Sequence, residues 1–150
     1  MRKALIIVQE EQLSGQQIQR LDAFVKRRYR KHVSHDKLLT IWNRIPAGQA
    51  FTRYEDSRAS LVTMECENGF EQSRRVALMQ ALDKDWRSVT GQRPDAVMLA
   101  VVDEALFADV FKSSQMRLSL LGRVELTFRM LRSMFHARLS GTPIQFNPNL

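Results

Sequence analysis

One cysteine, Cys66, stands in 150 residues, so the chain can form neither an internal disulfide nor a cysteine metal cluster. That usage fits a reducing compartment. Four prolines and six glycines are too few for a collagen-like or low-complexity chain. Long apolar runs are missing too. After Met1, Arg2 and Lys3, the run Ala4 to Val8 ends at Gln9, Glu10 and Glu11. It is too short for a signal-peptide core and for a membrane span. The start therefore reads as that of a cytoplasmic protein. The three histidines, His32, His35 and His136, match no metal-ligand spacing, so no metal and no cofactor are expected.

What is present is an ordinary globular composition, 44% hydrophobic and 26% charged, in a chain long enough for one buried core. The net charge of +7 favours anionic partners without naming one.

The order of patterns is strand, helix, strand, and then the same again. Ala4 to Val8 is a compact aliphatic run that predicts a buried strand. Ser14 and Gln17 form a capping box, in which each side chain satisfies a free backbone N–H of the other. Ile18, Leu21, Val25 and Tyr29 follow at helical spacing, opposite Arg20, Lys26, Arg27, Arg30 and Lys31. A second strand is predicted over Leu38 to Ile45, closed by Pro46, Ala47 and Gly48. Ser60 to Cys66 then alternates as a strand. Asn68 and Glu71 repeat the capping pattern, and Val76, Met79, Leu82 and Trp86 form a helical stripe. Gly91 supplies a C-cap, Pro94 blocks continuation, and Ala96 to Val102 is a fourth strand. The two units are offset by roughly 55–58 residues, a spacing that suits duplicated β-α-β units.

Such connections are right-handed and put both helices on one side of a sheet. The fold is therefore read as α+β: two fused β-α-β units forming a four-stranded sheet with two helices on one face, plus a C-terminal helix. It is a single domain, with repeat 1 at about 1–50, repeat 2 at about 58–106 and a helical extension at about 107–150. The extension carries a basic amphipathic helix over Gln115 to Leu139, suited to cover the sheet or a neighbouring subunit. After Gly141, Thr142 and Pro143 the tail is extended. The other sheet face also needs a cover, and self-association is the simplest one.

Single residues read conservatively. Cys66, Trp42 and Trp86 are core candidates, and the methionines are apolar fill. The run Lys26 to Lys31 is basic, but no helix-turn-helix, RNA-recognition or zinc-finger signature accompanies it. Nucleic acid is the weakest of the partner readings.

Four stretches together resemble the tautomerase superfamily, in particular its fused two-unit subgroup, similar to oxalocrotonate tautomerase and cis-3-chloroacrylate dehalogenase. They are LTIWNRIPAG at 39–48, FTR at 51–53 leading into SLVTMEC at 60–66, NGFEQS at 68–73, and GQRPDAVMLAVVDE at 91–104. The resemblance spans roughly residues 1–115. It implies a homotrimer and proton transfer beside a carbonyl. The family's base is an N-terminal proline amine, held neutral by an apolar, cationic pocket, and arginines grip the substrate carboxylate. Carried over by position, Met1 and Arg2 occupy the place of the proline. Arg53 matches the family's loop arginine; Arg58, Arg74 and Arg75 are near enough in sequence to line the same mouth, the last two on the first turns of a helix that offers backbone N–H groups to an anion, and with Arg53 they would bind a small carboxylate ligand. The chain departs from the pattern twice: residue 2 is Arg2 and not proline, and Phe70 stands where the family has an arginine after the glycine. Two functions follow. One is an isomerase-like enzyme acting on a small enolisable keto acid. The other is a non-catalytic trimer that binds an anionic ligand or a protein partner.

Overall fold

The computed structural model describes residues 1–52, 55–109 and 120–146. Its elements run β1 (Arg2–Gln9), α1 (Gly15–His32), β2 (Leu38–Ile45), β3 (Phe51–Thr52), β4 (Glu55–Asp56), β5 (Ser60–Cys66), α2 (Gln72–Thr90) and β6 (Val97–Asp103). A helical segment at 104–109, here α3, follows β6. The chain closes with α4 (Leu120–Ser140) and β7 (Ile144–Phe146).

The sheet order is β6-β5-β1-β2-β7. Within each unit the strands are parallel, β1 on β2 and β5 on β6, and the units meet through the antiparallel pair β1–β5. This is the fold the repeat implies, with one addition. The extended tail contributes a fifth strand, β7, parallel to the edge of β2, so main-chain groups that β2 would otherwise expose there are paired.

Helices α1 and α2 cover one face, and they pack on each other. Ala4, Ile6 and Val8 of β1, Trp42 of β2, and Val62 and Met64 of β5 point into them. They meet Ile18, Leu21, Val25 and Tyr29 of α1, and Leu78, Leu82 and Trp86 of α2. Trp42 and Trp86 stack with ring centroids 5.9 Å apart, which ties the first unit to the second at the centre of the core.

The Ser14–Gln17 capping box forms as read, and Gly91 ends α2 in the left-handed conformation at φ 69°. Two local expectations are corrected. Asn68 does not cap α2: Glu71 is the N-cap, without a side-chain cap bond, and the Asn68 side-chain Oδ1 accepts from Ala105 N. The reason lies in the chain path, since Asn68 sits in the turn before the helix and beside α3. The buried stripe of α2 uses Leu78 rather than Val76, which is 38% exposed. Either phase has helical spacing, and only the position of the sheet selects one.

The opposite sheet face has no helix from the two units. Leu5, Ile7, Leu39, Ile41 and Leu61 lie half-buried there, and Met98 is 65% exposed. The C-terminal helix packs on β7. Its Phe128, Leu131, Phe135 and Leu139 are exposed. Residues 115–119 of the expected helix lie outside the described residues.

Candidate functional site

Arg2 begins β1, in register with Leu38, at the end of the sheet where α1 finishes. Its backbone nitrogen is a peptide amide and donates to Lys37 O at 3.0 Å. Its guanidinium lies among three carboxylates: Glu104 at 2.5 Å, Glu65 at 3.4 Å and Asp36 at 3.9 Å. The hydrogen bond from Arg2 to Glu104 raises the guanidinium further above its already high ordinary value. Met1 is exposed.

Glu65 is the buried centre of this end, 4% exposed. One carboxylate oxygen accepts from Lys3 N at 3.1 Å and the other from Arg2. Its carbonyl accepts from the Tyr29 hydroxyl at 2.7 Å. Beside it the Cys66 thiol donates to Val102 O at 3.2 Å. Next in line, Arg75 binds the Asp103 carboxylate and donates to Phe70 O and Val101 O. Phe70 is itself buried, with the Arg74 and Arg75 guanidinium carbons 4.7 and 5.7 Å from its ring centroid. Thus Phe70 collects two neighbouring arginines against its face.

The electrostatics of this end move groups away from neutral pH. Burial pushes the Tyr29 hydroxyl well above its ordinary range and the Cys66 thiol up to about 11. The hydrogen bond from Arg75 holds Asp103 below the usual carboxylate value. Tyr29 is thus a fixed neutral donor, Cys66 a packed thiol, and Asp103 a fixed anion. A general base works best with a value near the operating pH, and none of these three has one.

The residues expected to bind a carboxylate divide in space. Arg74 and Arg75 lie at the Arg2 end, where Arg74 donates to Val33 O and Arg75 is bound to Asp103. Arg58 lies before Ser60, at the far end of β5, where its carbonyl accepts from Gln12 and Gln92 side chains. The length of the seven-residue strand, about 20 Å, separates the two groups within one protomer. Arg53 lies outside the described residues. The residues that sequence reasoning missed are the acids Glu65, Asp103 and Glu104. Glu65 carried one usable signal: a carboxylate between Met64 and Cys66 in an otherwise apolar strand end is buried only with a partner.

No protein-family model and no curated protein sequence matches the chain. Solved structures do. The native structure of Ps01740 is 22% identical, with a TM-score of 0.63 over 67% of this chain and 92% of that one. A wild-type fused 4-OT, described as a symmetric trimer, is 13% identical, with a TM-score of 0.59 over 67% of this chain and 84% of its own. N1, a member of the cis-3-chloroacrylic acid dehalogenase family, is 11% identical, with a TM-score of 0.61 over 67% of this chain and 73% of its own.

Proposed function

Taking as premise that this chain has the fold of the tautomerase superfamily, we propose that it is a non-catalytic, homotrimeric member of that fold whose role is binding. One observation carries the reading. At the position where the resemblance puts an amine base, this chain has a peptide amide donating to Lys37 O and a guanidinium held by Glu104 and Glu65. An amide nitrogen gives its lone pair to the carbonyl and is not a base. A guanidinium stays protonated at any physiological pH. Arg75, a candidate for carboxylate binding from its place at the start of α2, is already bound to Asp103.

The apolar outer face of the sheet supports self-association, because contiguous exposed apolar surface marks an interface. Trimerisation of a fused 4-OT is the precedent for a threefold arrangement. The other reading, an isomerase acting on a small enolisable keto acid, would need a base elsewhere.

Ketonisation of phenylenolpyruvate separates the two. The wild type is expected to run at the buffer rate. Turnover well above it by wild-type protein of verified intact mass would overturn the non-catalytic reading.

A further inference from the structure

A second place on the molecule has the character of a ligand site, and it lies away from the Arg2 cluster. The C-terminal extension turns back at Thr142 and Pro143 into β7, beside the exposed side of α1. Between them is a cleft of about 390 Å³, lined among others by Lys26, Arg30, Lys37, Thr142 and Ile144. A second hollow of about 410 Å³ runs along α1, shares Lys26, Arg30 and His35, and adds Arg27 and Lys31. Each volume is in the range of small-molecule sites. Leu38, Leu39 and Ile144 are among its lining, and the Thr142–Ile144 turn adds a wall that the two β-α-β units alone do not supply.

The charges in this groove fall into two groups. Lys26 is bound to the buried Asp22 at 2.6 Å. Arg27 lies 3.9 Å from Asp85 and against the Phe24 ring. Those two cations are fixed. Arg30, Lys31 and Lys37 have no carboxylate partner among the described residues. Asp36 is the acid in the lining, and it also faces Arg2. Arg30 and Lys37 line the cleft, Arg30 and Lys31 line the adjoining hollow, and together the two hollows hold these three cations at the end of one helix and the loop after it. Helix-terminal cations complement the helix dipole. Such a group of cations is also suited to an anion with several charges, because a monoanion would leave most of the repulsion in place; the Thr142 hydroxyl on the facing turn is paired with Ser140 Oγ at 2.7 Å.

We infer that these two adjoining hollows, along the end of α1 and against the Thr142–Ile144 turn, form one binding site for a small polyphosphate ligand carrying three or more negative charges. The inference rests on the binding role proposed above and gives that role a place and a chemistry.

The test is isothermal titration of the whole protein with inorganic tripolyphosphate, at fixed ionic strength, in wild type, Arg30→Gln, Lys37→Gln and Arg93→Gln. Arg93→Gln makes the same change in net charge at a site remote from the groove. The expected result is saturable binding of one ligand per chain, weakened at least tenfold by Arg30→Gln and by Lys37→Gln and less than twofold by Arg93→Gln. All three positions are exposed, so the variants keep the core intact. A parallel titration with a single-stranded oligonucleotide separates the two sources of phosphate. Absence of saturable tripolyphosphate binding overturns the site. So does equal weakening in all three variants, which would mean general charge, and so does binding of the oligonucleotide alone. The ketonisation assay does not depend on any of these outcomes, so failure of the groove and failure of the non-catalytic reading are told apart.

Discussion

Asp22 offers the sharpest test of how the core is held. It lies on α1, 6% exposed, and its carboxylate accepts from Thr40 Oγ1 at 2.5 Å, Trp42 Nε1 at 3.1 Å and Lys26 Nζ at 2.6 Å. Asp22→Ala removes the acceptor for all three. Lys26 loses least, since its side chain is 43% exposed and water can replace the carboxylate. Trp42 and Thr40 are buried, and a buried donor left without an acceptor costs about 1–3 kcal/mol. The threonine hydroxyl can rotate, so its share falls at the low end. The expected loss is about 2–4 kcal/mol, or a drop of about 5–15 °C in the midpoint for a chain of this size.

Urea unfolding followed by far-UV circular dichroism measures it, at one fixed protein concentration because association adds to apparent stability. Trp42→Phe supplies the internal control. It removes the indole N–H, so in the Asp22→Ala background it should destabilise by about 1 kcal/mol less than in the wild type, the sign of a direct coupling. A loss below about 0.5 kcal/mol for Asp22→Ala, or strict additivity of the pair, would refute the reasoning.

Two other outcomes follow from the same geometry. His32 is held below its ordinary value, first by burial and then by Lys31, Arg28 and Arg74, and its Nε2 is buried without a hydrogen-bond partner among the described residues. The unfolded chain takes up this proton near pH 6.5 and the folded chain only at lower pH. Stability is therefore full above about 6.5 and falls as pH drops toward the folded value; His32→Gln should flatten that slope between pH 7.5 and 5 in thermal melts. Ile41 sits on the outer sheet face in register with Leu5 and Ile144, so Ile41→Lys should convert the proposed trimer to monomer in light scattering, and an unchanged mass would move the proposed interface elsewhere.

Much of the fold was legible because periodicity and caps act locally. Ser14 with Gln17, Gly91, and the strands at Leu38–Ile45 and Ser60–Cys66 form where the pattern puts them. The duplicated order also implied that the helices share one face. The site was less legible, since ion pairs join residues far apart in the chain. Arg2 with Glu65 and Glu104, and Arg75 with Asp103, carry no local pattern to mark them.

The sequence by itself determined the two β-α-β units, the single thiol and the arginine at position 2, because each depends on residue type or on spacing within a turn or two. The tertiary structure alone decided which face of α2 is buried, and which acids neutralise Arg2 and Arg75. It also decided that β7 returns beside β2 to wall a basic groove. Those outcomes depend on where separate elements meet in space, and the order of residues along one element does not encode that meeting.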